Sequence, residues 1–124
     1  MKPKVLPPTL REKDRYIVFE VISDGDFTLE DLIKATRISF LSLFGELGLS
    51  ECGIRFLRNL YDEKNKRGVI RCVHNKIEEV RTALAFIRKV NEVNVIVRVL
   101  GITGTVKSAR KKFLGQTNLI GYGE

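Results

Sequence analysis

The sequence has little of the side-chain chemistry that most enzyme active sites use. It contains one histidine, His74, and two cysteines, Cys52 and Cys72, in 124 residues. Two cysteines are too few for a disulfide scaffold or for a zinc site made of cysteine alone, so we expect both to be reduced, buried thiols. His74 lies where a predicted strand passes into a predicted helix, and we interpret it as structural or exposed. The sequence therefore disfavours catalysis by the protein itself.

The sequence also lacks the patterns of membrane spans, signal peptides, phosphate-binding loops and metal sites. No run approaches the roughly 18 consecutive apolar residues of a membrane span, and residues 1–4 lead into prolines rather than into an apolar signal core. We therefore expect a cytoplasmic protein without a membrane partner. The sequence lacks a glycine-rich phosphate loop followed by lysine, and it lacks the ligand spacing of zinc and calcium sites. Asp24 and Asp26 flank Gly25, but this pattern is typical of a solvated turn, so we expect the protein to bind no metal and no other cofactor.

Positive charge is in excess and is unevenly distributed. The formal net charge is +7, with 22 lysines and arginines against 15 acidic residues. Residues 20–51 contain seven acidic and two basic side chains, so the remainder of the chain is more basic than the average. This asymmetry suggests one surface that binds a polyanion and another surface with a different role.

The apolar pattern predicts an α+β fold with the order β-α-β-β-α-β. The predicted strands are 16–22, 54–61, 69–73 and 93–100, and the predicted helices run from about 29 to 47 and from 75 to about 90. This order is typical of ferredoxin-like and RNA-recognition-motif-like domains, in which two helices cover one face of a four-stranded antiparallel sheet. Right-handed crossovers would place the first and third strands at the centre. A short basic amphipathic helix is predicted after residue 105.

The length favours one folding unit, because a second independent core is improbable at this size. We divide the chain into a basic N-terminal arm over residues 1–15, a domain with its C-terminal helix over 16–115, and a flexible tail over 116–124. The tail contains two glycines and no periodic pattern.

The predicted sheet is apolar on both faces. If Phe19 and Ile70 face the helices, the opposite face still carries several aliphatic side chains. Its cover is either the chain's own C-terminal helix or a partner protein, and the sequence leaves both open. The residues of this face that we assign to a protein interface are Val18, Ile22, Val73 and Ile96.

The first predicted helix has a second apolar surface. Ile38, Leu41 and Leu43 extend beyond the stripe that one sheet can cover. A homodimer or a larger protein complex is the simplest explanation, and an overpacked core within one chain is the alternative.

One ionic cluster is also predicted on the sheet. Glu20, Arg71 and Arg98 share a face on strands that we expect to be adjacent. The carboxylate could therefore pair with both guanidinium groups across the strands, although such a cluster is most often structural.

Clusters of lysine and arginine beside glycine and other small residues are typical of a surface that neutralises backbone phosphates. The alternative is a solvated basic surface that raises solubility. The residues that we predict to bind RNA are Arg11, Lys13 and Arg15 before the first strand, Lys64, Lys66 and Arg67 in the hairpin loop, and Lys107, Arg110, Lys111 and Lys112 in the terminal helix.

Base stacking on the sheet is not expected. RNA-recognition motifs stack bases on aromatic residues of the third strand, which follow a basic residue and a glycine. Arg67 and Gly68 fit this pattern, but Val69, Ile70 and Arg71 occupy the positions of the aromatic residues. We therefore expect binding through loops and the terminal helix, to RNA backbone and shape.

Three segments, LPPTLREKDRYIVF at 6–19, GVIRCV at 68–73 and VRVLGITGTVKSAR at 97–110, resemble the archaeal ribonuclease P protein component 2 family. The resemblance implies a part in removing the 5′ leader of precursor tRNA, within a ribonucleoprotein whose RNA subunit and bound magnesium perform the hydrolysis. It implies ribonuclease P RNA, precursor tRNA, ribonuclease P protein component 3 and a second copy of the chain as partners. The positions to which it carries RNA contact are Arg11, Lys13, Arg15, Lys107, Arg110 and Lys111.

Two other functions stay open at this point. A free-standing RNA-binding module would bind RNA as a monomer, and a ferredoxin-like regulatory domain would bind a small ligand at a dimer interface.

Overall fold

The computed structural model describes residues 14–111. Two 3-10 turns, Arg58–Leu60 and His74–Lys76, connect some of the regular elements. In chain order these elements are β1 Asp14–Ser23, α1 Leu29–Cys52, β2 Arg55–Phe56, β3 Arg67–Val73, α2 Ile77–Ala85, β4 Lys89–Val90, β5 Val93–Thr103 and α3 Val106–Ala109.

The strands form one antiparallel sheet with the order β2-β3-β1-β5-β4. The long strand β1 therefore lies between β3 and β5, and Leu100 forms a bulge where β5 passes Val18 and Phe19. The α+β class is confirmed, but the prediction of four strands is wrong because the structure has five. The sheet also begins at Asp14, so Arg15, which the sequence analysis assigned to the arm, belongs to β1.

The additional strand β4 replaces the predicted end of the second helix. α2 stops at Ala85, and Lys89–Val90 pairs with the start of β5. Ile87 and Val90 are 5% and 0% exposed. Both residues are apolar because they are buried, and they continue the helical spacing of the apolar residues of α2. Both nevertheless lie after the end of this helix.

The predicted second strand, 54–61, is also mostly absent. Only Arg55–Phe56 pairs regularly with β3, and a 3-10 turn follows at Arg58–Leu60. Leu57 and Leu60 pack on the sheet face opposite α1 and α2. They look like strand residues in the sequence because they are apolar and are partly buried against this face.

α1 begins where its sequence predicts and ends later. Thr28 and Asp31 form the capping box, in which the Asp31 N–H donates to Thr28 Oγ1 at 3.1 Å. The helix is kinked at Gly45, whose φ of 72° lies in the left-handed region, and it ends at Gly53. Gly48, which directly follows the end predicted at about 47, lies inside the helix.

The main core lies between α1, α2 and one sheet face. Phe19, Phe40, Ile70 and Leu84 are its large, fully buried side chains. Burying such side chains contributes roughly 1.5–3 kcal/mol each. Cys52 and Cys72 are free, buried thiols in the same core, and burial raises the pKa of Cys72 to about 11.

The opposite sheet face, which we call the open face, is covered only in part. Ala109 of α3 is fully buried against Val18 and Val69. The chain's own C-terminal helix therefore covers the centre of this face, one of the two alternatives that the sequence left open. Among residues 14–111, no helix is long and apolar enough to cross a membrane.

Candidate RNA-binding surface

The open face carries an ionic cluster of three residues next to the part that α3 covers. Glu20 on β1 is paired with Arg67 on β3 and with Arg98 on β5. The Nε–H of Arg67 donates to Glu20 Oε2 and the Nε–H of Arg98 donates to Glu20 Oε1, both at 3.0 Å. We call Glu20, Arg67 and Arg98 the arginine cluster.

The sequence predicted Arg71 in this cluster, and that prediction is wrong. The β1–β3 register places Arg71 opposite Tyr16, four residues from Glu20. Its buried Nε lies 3.4 Å from Asp14 Oδ2 without forming a hydrogen bond. Arg67 takes the predicted place because α1 and β2 separate β1 from β3 in the chain, so the register of this pair is set by tertiary packing and not by a local turn.

The cluster lowers the pKa of Glu20. Partial burial by itself raises this pKa, but the hydrogen bonds and positive charges of Arg67 and Arg98 outweigh it, so the pKa lies below its usual range. The carboxylate therefore stays ionised at neutral pH, and the cluster carries one net positive charge.

The hairpin loop before β3 presents two more of the predicted RNA-binding residues. Lys64 is exposed in a turn where Asp62 Oδ1 accepts the Lys64 N–H at 3.0 Å. Lys66 has a φ of 54°, and its Nζ lies 3.4 Å from Asp26 and 5.9 Å from the centre of the Phe27 ring. Lys66 is thus held by neighbours, whereas Lys64 extends into solvent.

α3 presents its cations to solvent. Thr105 caps the helix, since its Oγ1 accepts the Ser108 N–H at 3.1 Å. Ala109 lies on the buried side of this helix. The side chains of Lys107 in the helix and of Arg110 and Lys111 directly after it are exposed.

The other predicted RNA-binding residues are less informative. Arg15 is half-buried and donates from Nη1 to its neighbour's carbonyl, the Asp14 oxygen, at 2.9 Å. Arg11, Lys13 and Lys112 lie outside the described residues, and so does the predicted tail at 116–124.

The predicted protein-interface residues of the open face fall into two groups. Ile22 and Ile96 are paired across β1 and β5 and are 50% and 63% exposed. Val73 is half-buried at the end of β3. Val18, in contrast, is fully buried because α3 packs on it, so it offers no surface to a partner and its assignment is corrected.

The helix side has an exposed apolar cleft of about 300 Å³ between α1 and the end of α2. Ile38 is 58% exposed there, as predicted, beside Phe86 at 59%. Leu41 is half-buried, whereas Leu43 packs against the main core, so it belongs to the core more than to a surface. Phe86 was not among the predicted interface residues, although two adjacent apolar residues, Phe86 and Ile87, indicate that one of them faces away from the core.

A third surface was also missed. A cleft of about 600 Å³ beside β2 is lined by Arg37, Arg55 and Arg58 together with apolar side chains, one from α1 and the others from the segment around β2. Arg58 forms an ion pair with Glu30. Within the described part of the chain, no group of three or more histidine, cysteine and acidic residues could hold a metal ion.

The comparisons with known proteins agree with this architecture. A family model described as the Rpp14/Pop5 family matches residues 15–114. The chain belongs to the Rpp14/Pop5 family. Relatives named ribonuclease P protein component 2 match most of this chain, which confirms the resemblance found in the sequence.

The family relatives match over nearly their whole length. The protein from Pyrococcus abyssi is 43% identical over 116 residues, which are 94% of this chain and 97% of that protein. The Thermococcus kodakarensis protein is 41% identical, with 93% and 94% covered. The protein from Methanosarcina barkeri is 40% identical, with 92% and 82% covered.

A solved structure shares the fold. A chain in the cryo-EM structure of yeast ribonuclease MRP aligns with a TM-score of 0.60, covering 77% of this chain and 76% of that chain. The sequence identity is 14%, so this likeness concerns the fold alone.

Proposed function

We propose that this chain is a protein subunit of ribonuclease P that assists the catalytic RNA in removing the 5′ leader from precursor tRNA. The observation that carries the proposal is the 43% identity to ribonuclease P protein component 2 of Pyrococcus abyssi across 97% of that protein. An insertion or a missing domain that would separate the two functions is not apparent in such an alignment.

In this proposal the protein binds and stabilises the RNA, and the RNA subunit with its magnesium ions performs the hydrolysis. The exposed cations of α3 and the arginine cluster support an RNA-binding role. The one histidine, His74, is exposed in a 3-10 turn, and no acid–base partner for it is found among residues 14–111. In this proposal the protein is part of an enzyme without supplying its catalytic groups.

The physical effect of the protein is electrostatic. RNA helices repel one another, and magnesium normally screens this repulsion. Protein cations placed between them release condensed counterions and take over part of the screening. Lys107, Arg110 and Lys111 suit this task because Ala109 fixes the helix from which they extend. The protein would thus lower the magnesium concentration that the RNA needs.

The protein partners that we propose are ribonuclease P protein component 3 and a second copy of this chain. The cleft with Ile38 and Phe86 is the apolar surface that favours a protein contact, since large exposed hydrophobic side chains gather there. The cytoplasmic location expected from the sequence stays a prediction.

The proposal is tested by reconstitution. The RNA subunit and the protein components are combined, and leader cleavage is measured against magnesium concentration with the wild-type chain and with the triple variant Lys107→Glu, Arg110→Glu, Lys111→Glu. We expect the variant to require more magnesium. The matched control reverses three exposed charges that belong to neither the proposed protein contact nor the proposed RNA contact, Arg37, Arg55 and Arg58, after light scattering has established that it still assembles. Equal magnesium requirements for wild type and variant would refute the screening role.

A further inference from the structure

The arginine cluster holds two guanidinium groups on one carboxylate. One carboxylate, Glu20, receives two arginines from the strands on either side of it, one on each oxygen atom. We propose that this cluster is a binding site for the RNA sugar-phosphate backbone, in which Arg67 and Arg98 contact phosphate and Glu20 positions them. This inference rests on the proposed function, because it assigns part of the RNA contact to the open face.

The hydrogen bonds of the cluster leave its phosphate-binding atoms available. Among the hydrogen bonds of residues 14–111, each arginine of the cluster donates through Nε–H alone. Both terminal NH₂ groups of each guanidinium therefore remain for a ligand. A planar pair of such donors matches the oxygen atoms of a phosphate group, which lysine binds only as a point charge.

The exposures show which members of the cluster face solvent. The Glu20 side chain is 17% exposed, whereas Arg67 is 37% and Arg98 is 61% exposed. The carboxylate thus lies beneath the two guanidinium groups, on the sheet. An anion approaching from solvent meets two cations before it meets the carboxylate, so the site attracts phosphate although it contains an acid.

Stability alone is a weak reason for this arrangement. An ion pair as exposed as that of Arg98 contributes little to stability. Holding a guanidinium in place before RNA arrives has a different benefit, because the entropy of ordering a long side chain is then lost on folding and not on binding. Glu20 thereby acts as a positioning residue, and the two arginines make the contact.

The surroundings of the cluster favour a nucleic acid over a free phosphate ion. On one side the cross-strand pair Ile22 and Ile96 forms an exposed apolar shelf, which fits a ribose or a base edge. On the other side α3 packs over Val18 and Val69, each two residues along its strand from a member of the cluster. The cluster and the cations of α3 therefore lie side by side and can follow one RNA strand.

The effect of replacing Glu20 distinguishes this inference from a merely structural ion cluster. Glu20→Gln removes a negative charge, so nonspecific electrostatics predicts tighter RNA binding. If Glu20 positions the arginines, the same change weakens binding, because glutamine has only one oxygen to accept both Nε–H groups. Glu20→Asp is the second variant. It keeps the charge but is one methylene shorter, so any loss of affinity reports geometry.

The experiment measures the affinity of the full chain by fluorescence anisotropy. The probes are a labelled oligouridylate of about ten nucleotides and a labelled RNA duplex of about 16 base pairs, each titrated at several salt concentrations. We expect Arg67→Gln and Arg98→Gln each to weaken binding roughly tenfold and to reduce the salt slope by roughly one. Glu20→Gln and Glu20→Asp should each weaken binding about threefold. The matched control, Arg88→Gln, removes an exposed arginine from the helix side.

The outcomes separate this inference from the proposed function. If wild type binds RNA and supports leader cleavage, but the cluster variants bind like Arg88→Gln, the inference fails and the proposed function stands. Tighter binding by Glu20→Gln also overturns the inference, as does normal RNA binding by cluster variants that no longer assemble with other protein subunits. If wild type binds neither probe and leaves cleavage unchanged, both fail. Thermal unfolding of each variant establishes that it is folded before binding is measured.

Discussion

Gly68 provides a direct test of the packing that holds the arginine cluster. It follows Arg67 on β3 and is paired with Phe19 on β1. A Cβ atom at Gly68 would lie 2.8 Å from Phe19 Cζ and 3.0 Å from Tyr61 Cδ1. Phe19 cannot easily move away, because it is fully buried and its ring packs edge-on against Phe56 at 5.9 Å. Gly68→Ala therefore introduces a clash in the main core.

The expected cost follows from this geometry. Adding a methyl group to a tightly packed core typically costs about 1–3 kcal/mol of unfolding free energy. For a domain near this size that corresponds to a melting temperature lower by about 4–12 °C. Differential scanning calorimetry measures it directly.

The matched control is Gly104→Ala, because a Cβ at Gly104 would have no atom within 4 Å. This variant should melt within about 2 °C of wild type, since surface substitutions usually change stability by less than about 0.5 kcal/mol. Equal melting temperatures for the two alanine variants would refute the close contact between β3 and the ring of Phe19, and with it the register that places Arg67 beside Glu20.

Two further predictions concern the open face and the helix side. The pKa of Glu20 is lower in the folded state than in the unfolded chain, so its contribution to stability is present above the unfolded pKa and is lost as the pH falls through the folded value. Urea unfolding between neutral and acidic pH should therefore lose less stability in Glu20→Gln than in wild type, and equal losses would contradict the ion cluster. On the helix side, Phe86→Ser with Ile38→Ser should weaken association with other protein subunits while RNA affinity is unchanged. Light scattering and anisotropy measure the two effects, and unchanged association would exclude this cleft as an interface.

The parts of the fold that sequence reasoning found are those with local physical signals. The capping box of Thr28 and Asp31 defines the start of α1 within the chain itself. The strand character of β1 and β3 follows from β-branched residues that are buried on both faces, as Ile17, Val18 and Val69 are. Such signals involve neighbours in sequence and need no knowledge of the partner strand.

The parts that it missed depend on contacts distant in sequence. Ile87 and Val90 are buried like helix residues although one follows α2 and the other belongs to β4. Val18 was assigned to a protein interface because the sequence of its own strand does not show that Ala109 packs on it. The partner of Glu20 on β3 depends on the register between two strands that α1 and β2 separate in the chain, so no local turn defines it. Arg67 therefore replaced Arg71 for a reason that only the folded structure supplies.

The proposed role of this chain is to help a catalytic RNA to work by supplying positive charge. Its most direct test is the magnesium concentration at half-maximal leader cleavage of precursor tRNA by the reconstituted enzyme, measured with and without this chain. We expect a clearly lower magnesium requirement when the chain is present. The same requirement and the same cleavage rate in both preparations would contradict it.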